Sequence, residues 1–446
     1  MTTLPRTGAL LLATSGALFG QDPGSALLEP SEIRALVVRA AETELLATSR
    51  GIAAALDRAA ELGFDAVVPL VFEPGRAWAS SPALAAAGVE AQPAVPGRDL
   101  VGELVFEAHR AGLEVLIGLD GELVLGAGAA GRAALRSAAV ELARAHEVDG
   151  FVLWNGLAAF PVEATRDPTL RTALAESAQE LAAWRAELAA LDGGLVVGWY
   201  AADARRAWPA DLATLDFVVV PPGARDLPEH VAAWMRAGRG RAALALALDG
   251  ALTPAAFAES LAAARTAPFA GEFLGPFAEL EARGRALADV LDQGLDAPYY
   301  ARAIPPWRAG VARRTPAPTA ALFDDSGSFE KVEADPPYAV LAPGARGAAS
   351  WALAADAPGE HELWLWLEPS AGPHGELELT IPVDPRRVQR IKLQAGEPRG
   401  WTRVGRAHLG STRREDVLRL EVPAGGARGL AVGSVVALAR KRPGPR

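Results

Sequence analysis

Two aspartates stand at the ends of short apolar segments, where their carboxyl groups could do chemistry. Asp120 ends the segment 114–120, and Asp249 directly follows the segment 242–248. Hydrolysis of a glycosidic bond ordinarily needs two carboxyl groups, one to protonate the leaving oxygen and one to act as nucleophile or base. We therefore predict Asp120 and Asp249 as the catalytic pair. The alternative for each carboxylate is that it caps the next helix or pairs with a nearby arginine.

Aromatic and hydrogen-bonding side chains follow several other apolar segments in the same way. A sugar ring offers apolar C–H faces for stacking and hydroxyl groups for hydrogen bonds, so this mixture of side chains suits a carbohydrate. The predicted substrate-binding residues are Arg39, Glu73, Arg76, Trp78, Trp154, Asn155, Trp199, Tyr200 and Asp203. The alternative for any one tryptophan is that it closes the core of the fold.

These residues need a fold that brings the ends of the segments together. Eight short apolar segments alternate with longer stretches whose apolar residues recur every three or four positions, as in amphipathic helices. Near-continuous Val, Leu and Ile segments are typical of strands that are buried on both faces. The predicted strands are 33–39, 66–72, 114–120, 150–156, 195–201, 216–222, 242–248 and 271–277.

The helical stretches lie between these strands, and glycines such as Gly63, Gly112 and Gly238 follow them, as expected where a left-handed residue ends a helix. The predicted helices are 52–62, 100–111, 133–146, 170–191, 229–237, 254–266 and 278–291. We therefore predict an α/β fold, a (β/α)₈ or TIM barrel over residues 31–300, with its site at the carboxyl ends of the strands. An open doubly wound sheet is the competing topology, but no glycine-rich phosphate loop follows the first strand.

A different pattern begins after the barrel. Residues 301–319 are rich in Pro and Arg and have no periodicity, which indicates a linker. Residues 320–440 contain short strand candidates separated by Gly, Pro and Ser, so we predict an all-β sandwich domain there. The strand candidates are 348–353, 361–367, 376–383, 390–393, 401–409, 417–422 and 430–438.

The composition excludes several other classes of protein. Of the 446 residues, 50% are hydrophobic and 22% are charged, as in globular proteins. The net charge of −10 argues against nucleic-acid and anionic-membrane partners, which need a basic surface. The absence of cysteine excludes disulfides and thiolate metal sites. The six histidines are scattered without a metal-ligand spacing, so we expect no metal and no cofactor.

The first twenty residues have the layout of a secretory signal peptide. Arg6 precedes the uncharged and mostly apolar segment 8–20, and polar residues follow from Gln21. This segment is shorter than the roughly 20 residues that cross a bilayer, and no later segment is a candidate transmembrane span. We expect cleavage after Ala17 or Gly20 and a secreted or periplasmic protein. A disordered apolar tail is the alternative.

Several motifs follow one another in the barrel half. They occupy residues 32–35, 56–67 and 73–81, then 107–115 (EAHRAGLEV) and 148–151 (VDGF), with Phe160-Pro161 after them. Together they resemble the glycoside-hydrolase-like family ten, a group of bacterial barrel proteins to which glycosidase activity is ascribed. The resemblance covers most of residues 32–300 and is carried best by EAHRAGLEV and VDGF. It implies a barrel that handles carbohydrate.

The sequence departs from this family at the end of the fourth strand. The family continues there to two consecutive acidic residues and a tyrosine, where this chain has Trp154-Asn155-Gly156. An asparagine forms hydrogen bonds but supplies no acid proton, which hydrolysis requires. Asp149 stands at the start of the same strand, so we expect it to be structural. We therefore expect hydrolysis to be weak or absent.

The C-terminal half resembles the golvesin-type, carbohydrate-binding-module-like sandwich. The segments that carry this resemblance are 347–353, 358–366 and 400–405. In the segment 363–367, leucines share one face of the strand and Trp364 and Trp366 share the other. If the leucine face is buried, the tryptophans are either an exposed sugar platform or a cover for the linker. We favour burial of at least one of them.

The sequence thus predicts a secreted glycoside-hydrolase-like protein that acts on or binds a polysaccharide or oligosaccharide. The alternative is a non-catalytic polysaccharide-binding or cell-envelope protein that uses the same cleft. A structural barrel without a ligand is a third interpretation. Two carboxylates facing each other across the cleft would favour the enzyme, and a cleft without such a pair would favour binding.

Overall fold

The computed structural model describes most strands of both domains. The described residues are 33–39, 48–73, 76–89, 98–121, 123–124, 128–154, 160–161, 168–200, 206–207, 215–220, 243–249, 253, 255–259, 271–275, 277, 316–334, 337–355, 358–368, 377–384, 387–393, 400–410, 416–423 and 430–439. The predicted signal peptide 1–20, the helices 229–237 and 278–291 and most of the linker 301–319 lie outside these residues.

Eight parallel strands close into a ring in the first part of the chain. The described strands there are β1 (Ile33–Val38), β2 (Ala66–Glu73), β3 (Arg76–Ala77), β4 (Glu114–Asp120), β5 (Gly150–Trp154), β6 (Phe160–Pro161), β7 (Val196–Tyr200), β8 (Arg206–Ala207), β9 (Phe217–Val220), β10 (Ala243–Asp249) and β11 (Gly271–Gly275). Parallel pairs run in the order β1-β2-β4-β5-β7-β9-β10-β11, and β11 pairs with β1. The ring confirms the barrel and rules out the open sheet. The short β3 folds back antiparallel onto β2, and β6 pairs with β8.

The helices lie between these strands, as predicted. Thr48 caps the first helix by accepting a hydrogen bond from the backbone N–H of Gly51 at 2.9 Å. Gly63 and Gly112 follow the first and third helices with φ of 78° and 83°, the left-handed conformation that the sequence predicts. The described helices are α1 (Ser49–Glu61), α2 (Pro82–Ala86), α3 (Leu100–Arg110), α4 (Gly128–Ala145) and α5 (Pro168–Leu191).

On the barrel strands whose side chains the structure describes, residues alternate between the barrel interior and the layer beneath the helices. On β5, Phe151 and Leu153 pack outward into the main core, whereas Val152 and Trp154 belong to the interior cluster. Both faces are therefore buried, which explains why these strands are apolar throughout. The interior cluster consists of Ala35, Val37, Ala66, Val68, Leu70, Leu116, Val152, Trp154, Val196, Phe217, Val219 and Phe273.

The C-terminal part is an antiparallel sandwich of two sheets. Its strands are β12 (Thr319–Ala320), β13 (Phe323–Asp324), β14 (Phe329–Val332), β15 (Tyr338–Leu341), β16 (Gly347–Leu353), β17 (Gly359–Leu367), β18 (Leu377–Asp384), β19 (Arg387–Leu393), β20 (Gly400–Leu409), β21 (Asp416–Val422) and β22 (Leu430–Ala439). One sheet has the order β14-β15-β22-β17-β20 with β12 beside β22, and the other has the order β13-β16-β21-β18-β19. All seven strands predicted from the sequence are present, as β16 to β22. The structure adds β12 to β15, which were not predicted from the sequence.

The two faces of β17 have different roles. Leu363 and Leu365 are fully buried in the core of the sandwich. The opposite face packs on the barrel, where the ring centroid of Phe106 on α3 lies 4.3 Å from that of Trp364. Trp366 on the same face is 7% exposed, which confirms that at least one tryptophan is buried. The tryptophan face therefore covers a barrel helix, and Trp364 is half-buried there.

Gly198 lies where aromatic residues fill the barrel interior, and the packing there requires a residue without a side chain. Phe217 on β9 packs on Phe273 on β11 with 5.5 Å between their ring centroids. A Cβ atom at Gly198 on the neighbouring β7 would overlap the ring of Phe217. The interior thus accepts both phenylalanines because Gly198 has no side chain.

We predict that Gly198→Ala lowers the free energy of unfolding by about 1–3 kcal/mol, since an added methyl group overfills a packed core. Gly193→Ala is the matched control, because no atom lies within 4 Å of a Cβ at Gly193 and its φ is not positive. Urea unfolding of both variants measures the difference. Equal stabilities would contradict the role assigned to Gly198.

Candidate functional site

The carboxyl ends of the parallel strands form one rim of the barrel. Arg39 directly follows β1, Asp120 is the last residue of β4 and Asp249 is the last residue of β10. Since the strands are parallel and closed into a ring, these three positions lie at the same rim, as the sequence predicts. Asn155 and Asp203 lie outside the described residues, as do the side chains of Arg76 and Asp249.

Three of the predicted residues are direct neighbours across this rim. Asp120 on β4 is paired in register with Trp154 on β5, which is paired with Tyr200 on β7. The rings of Trp154 and Tyr200 stack with 3.5 Å between centroids and 9° between planes. Trp154 is 5% exposed and Asp120 is 7% exposed, while Tyr200 is more open. The rim therefore has a buried aromatic stack beside a carboxyl group.

Two further predicted residues form a loose ion pair at the same rim. The Nε atom of Arg39 lies 3.9 Å from a carboxylate oxygen of Glu73, with about half of the arginine side chain exposed. Pairs of this kind contribute roughly 0–1 kcal/mol to stability. Both charged groups thus lie near the mouth of the barrel.

Two predicted stacking residues are corrected by the structure. Trp78 and Trp199 are 1% and 6% exposed, and both belong to the core between the strands and the helices. The cause for Trp199 is alternation along β7, which turns Tyr200 into the barrel and Trp199 outward. Trp78 directly follows β3, which folds back onto β2. Neither ring offers a face to a sugar.

The opposite rim carries a repeated structural device. Asp65, Asp149 and Asp216 each stand one residue before a barrel strand, and each carboxylate accepts a hydrogen bond from a backbone N–H at the start of the preceding strand. The donors are Arg34, Val115 and Val197, at 3.3, 2.9 and 2.8 Å. These bonds satisfy main-chain groups and fix how neighbouring strands align. Asp149 therefore has the structural role that its position predicts.

The motif EAHRAGLEV also serves this amino-terminal half of the barrel. His109 Nε2 lies 2.8 Å from the carboxylate of Asp149, with both side chains buried. The carboxylate of Glu107 lies 2.6 Å from Arg110, which also donates to Asp57 at 2.7 Å. Burial raises the pKa of Glu107 to about 7, although the charge of Arg110 opposes this shift. The residues that carry the family resemblance are thus structural.

Sequence reasoning missed a second set of polar and aromatic residues, at the contact between the two domains. Trp364 and Trp366 on β17 are paired across the sheet with Arg403 and Trp401 on β20, so all four share the face that meets the barrel. Alternation along the segment 400–405 was the available signal, because it places Trp401 and Arg403 on one face. Trp364, Trp401 and Arg403 line a cavity with α3.

No group of three or more His, Asp or Glu side chains in the described part of the chain is arranged to hold a metal ion. Among the described helices, none is long and apolar enough to cross a membrane.

No protein-family model matches the chain, and no curated protein matches it in sequence. Solved structures with a similar fold include a family GH18 chitinase from Cycas revoluta in complex with allosamidin (12% identity, 59% of this chain and 99% of that chain, TM-score 0.42). A glycoside hydrolase family 5 structure from Bacteroides vulgatus aligns over 87% of this chain and 89% of its own (10% identity, TM-score 0.39). A tryptophan synthase from M. tuberculosis aligns as well (18% identity, 60% of this chain and 94% of that chain, TM-score 0.34). With TM-scores below 0.5, these likenesses identify neither a family nor a reaction.

We predict that the contribution of Glu107 to the free energy of unfolding falls as pH rises from about 4.5 to about 7, because Glu107 binds its proton more tightly in the folded chain than in the unfolded chain. Asp216, whose pKa is also raised by burial, contributes with the same sign. Glu107→Gln should flatten this pH dependence. Chemical unfolding at a series of pH values measures it. The control is Glu61→Gln, an exposed partner of Arg58, which should keep the wild-type slope. The same slope in Glu107→Gln would contradict the assignment.

Proposed function

We propose that this protein is an exported, glycoside-hydrolase-like protein that binds a polysaccharide or oligosaccharide at the mouth of its barrel, with hydrolysis weak or absent. The observation that carries the proposal is the placement of Asp120 beside the Trp154–Tyr200 stack. This group lies at the carboxyl ends of the strands, where barrel enzymes keep their sites.

Binding is supported by the chemistry of the rim. Tyr200 offers a partly open ring that is held in place by its stack on Trp154. Asp120 supplies hydrogen-bond acceptors, and Arg39 and Glu73 supply a donor and an acceptor near the same mouth. An aromatic surface with a few fixed polar groups is typical of a carbohydrate site.

Weak hydrolysis is supported by the residues after β5. Trp154-Asn155 stands there in place of the two acidic residues of the family that the sequence resembles. This chain therefore lacks the carboxyl groups that those residues would supply for hydrolysis. Loss of acid–base assistance typically lowers the rate by roughly 10²–10⁴. Stacking and hydrogen bonds need no second ionisable group, so affinity survives this loss.

A glycosidase that uses Asp120 and Asp249 is the second candidate. It is favoured by the ring order, in which β4 and β10 are the third and seventh strands and so stand on opposite sides of the barrel. Both strands end in an aspartate. Two carboxyl groups across a mouth are what either a retaining or an inverting mechanism requires.

A paired screen of glycan binding and hydrolysis on the same polysaccharides separates the two candidates. We expect binding without turnover, and we expect Asp120→Asn to weaken binding by roughly tenfold through the loss of a charged hydrogen bond. Glu61→Gln on the outer surface is the control and should bind like the parent. Turnover near the median enzyme rate of roughly 10 s⁻¹ that Asp120→Asn abolishes would establish the enzyme instead. If the screen detects no binding and no turnover, only the interpretation as a structural barrel without a ligand remains.

Export is the second part of the proposal. It is supported by the order of Arg6, the apolar segment 8–20 and the polar residues that follow. We predict that the mature chain begins at residue 18 or 21. Mass spectrometry of the native protein measures its first residue. A cytoplasmic protein that retains Met1 or Thr2 would contradict export.

A further inference from the structure

A cavity of about 720 Å³ lies between the barrel and the sandwich, and both domains line it. Ligand pockets usually enclose roughly 300–1,000 Å³, and interfaces between domains are among their preferred places. The barrel wall of this interdomain cleft includes His146, Val148 and Leu195, which stand just before the starts of β5 and β7. The cleft therefore lies at the opposite end of the barrel from Asp120.

Aromatic rings form part of the sandwich wall of this cleft. Trp364 and Trp401 are half-buried, and the ring centroid of Phe106 lies 4.3 Å from the first and 5.4 Å from the second. Trp401 is also held by Trp366, with 5.5 Å between their centroids in an edge-on contact. Rings fixed in this way offer apolar surface without a further loss of side-chain freedom, which suits stacking on a ligand.

Hydrogen-bond donors lie beside these rings. Arg403 and Arg406 share one carboxylate oxygen of Glu362, at 2.6 Å and 3.6 Å, and both arginine side chains are more than 40% exposed. Each guanidinium carries five N–H donors, so a single carboxylate cannot satisfy both groups. Donors are therefore left for the oxygen atoms of a ligand.

The barrel wall of the cleft supplies hydrogen-bond acceptors. Glu103 accepts a hydrogen bond from the Ser49 hydroxyl at 2.7 Å and pairs with Arg98, and Asp99 lies near His146 at 3.7 Å. The barrel wall also has donors in Arg144 and His146, and the sandwich wall has an acceptor in Glu362, so both walls suit a ligand whose groups donate and accept. Hydroxyl groups are of this kind.

The cleft is continuous with a second cavity. It shares the lining residues Asp99, Arg144, Ala145 and His146 with a second cavity of about 810 Å³, which runs beside α4 to Ser80 and Ser81. The two cavities together form an elongated groove along the side of the barrel. A groove of this shape fits an extended chain better than a single small molecule.

We propose that the interdomain cleft is a second carbohydrate site, which binds a segment of a neutral saccharide chain through Trp401, Trp364 and Arg406. The site is separate from the barrel mouth and does not depend on the function proposed there. Its ligand is recognised by ring stacking on the sandwich wall and by hydroxyl groups that bridge the two walls.

The test uses the full chain, titrated with cellohexaose, xylohexaose and the hexamer of N-acetylglucosamine. Calorimetry gives the affinity, and tryptophan fluorescence reports on the rings of the cleft. We expect Trp401→Ala to weaken the binding of at least one hexamer by more than roughly tenfold, and Arg406→Gln to weaken it by roughly tenfold. Arg406→Gln leaves the pair between Glu362 and Arg403 intact, so it keeps the test valid if Trp401→Ala loosens the domain contact.

Arg58→Gln is the matched control, because Arg58 is an ion-paired arginine of nearly equal exposure that does not line the cleft. It should bind like the parent. Loss of binding in Arg406→Gln with binding kept in Arg58→Gln would support the cleft, whatever effect Asp120→Asn has at the mouth. Three outcomes would overturn the proposal. The first is saccharide binding that depends on Asp120 alone, and the second is no binding of any hexamer. The third is an Arg406-dependent affinity for unfolded casein instead of saccharide.

Discussion

Closure of eight strands around a single interior is the constraint on which the rest of the barrel depends. Every second residue of each strand must share this limited volume, so bulky side chains on one strand require small ones on its neighbours. Phe217 and Phe273 are accommodated because Gly198 leaves them room. The same alternation brings Asp120, Trp154 and Tyr200 together at the mouth, because their positions fall on the inward side of three successive strands.

The two ends of the barrel divide their charged residues by role. At the amino end, carboxylates such as Asp149 and Asp216 are committed to main-chain N–H groups and to buried partners. At the carboxyl end, Arg39 and Glu73 form an ion pair at 3.9 Å, and about half of the arginine side chain is exposed. Strong sequence motifs such as VDGF therefore report on how the barrel is assembled. A resemblance built on them predicts the architecture better than it predicts the chemistry.

The strands could be predicted from the sequence because burial on both faces makes each one a short, uniformly apolar segment. The direction of individual side chains could not. Trp199 and Tyr200 are adjacent aromatic residues, and only the alignment of β7 with its neighbours decides which one enters the barrel. The burial of Trp78 depends on the two-residue strand β3, which is too short to leave a pattern. The aspartates Asp65, Asp149 and Asp216 do leave a pattern, since each directly precedes a short apolar strand.

The sandwich joins its two sheets without a covalent link. The indole N–H of the fully buried Trp351 on β16 donates a 2.8 Å hydrogen bond to the carbonyl of Gly433 on β22, which belongs to the other sheet. The chain has no cysteine anywhere, so this bond and the apolar core hold the sheets together. Consequently, the stability of the domain does not depend directly on the thiol–disulfide redox potential of its surroundings. It folds with neither an oxidant nor a disulfide isomerase, on either side of a cell membrane.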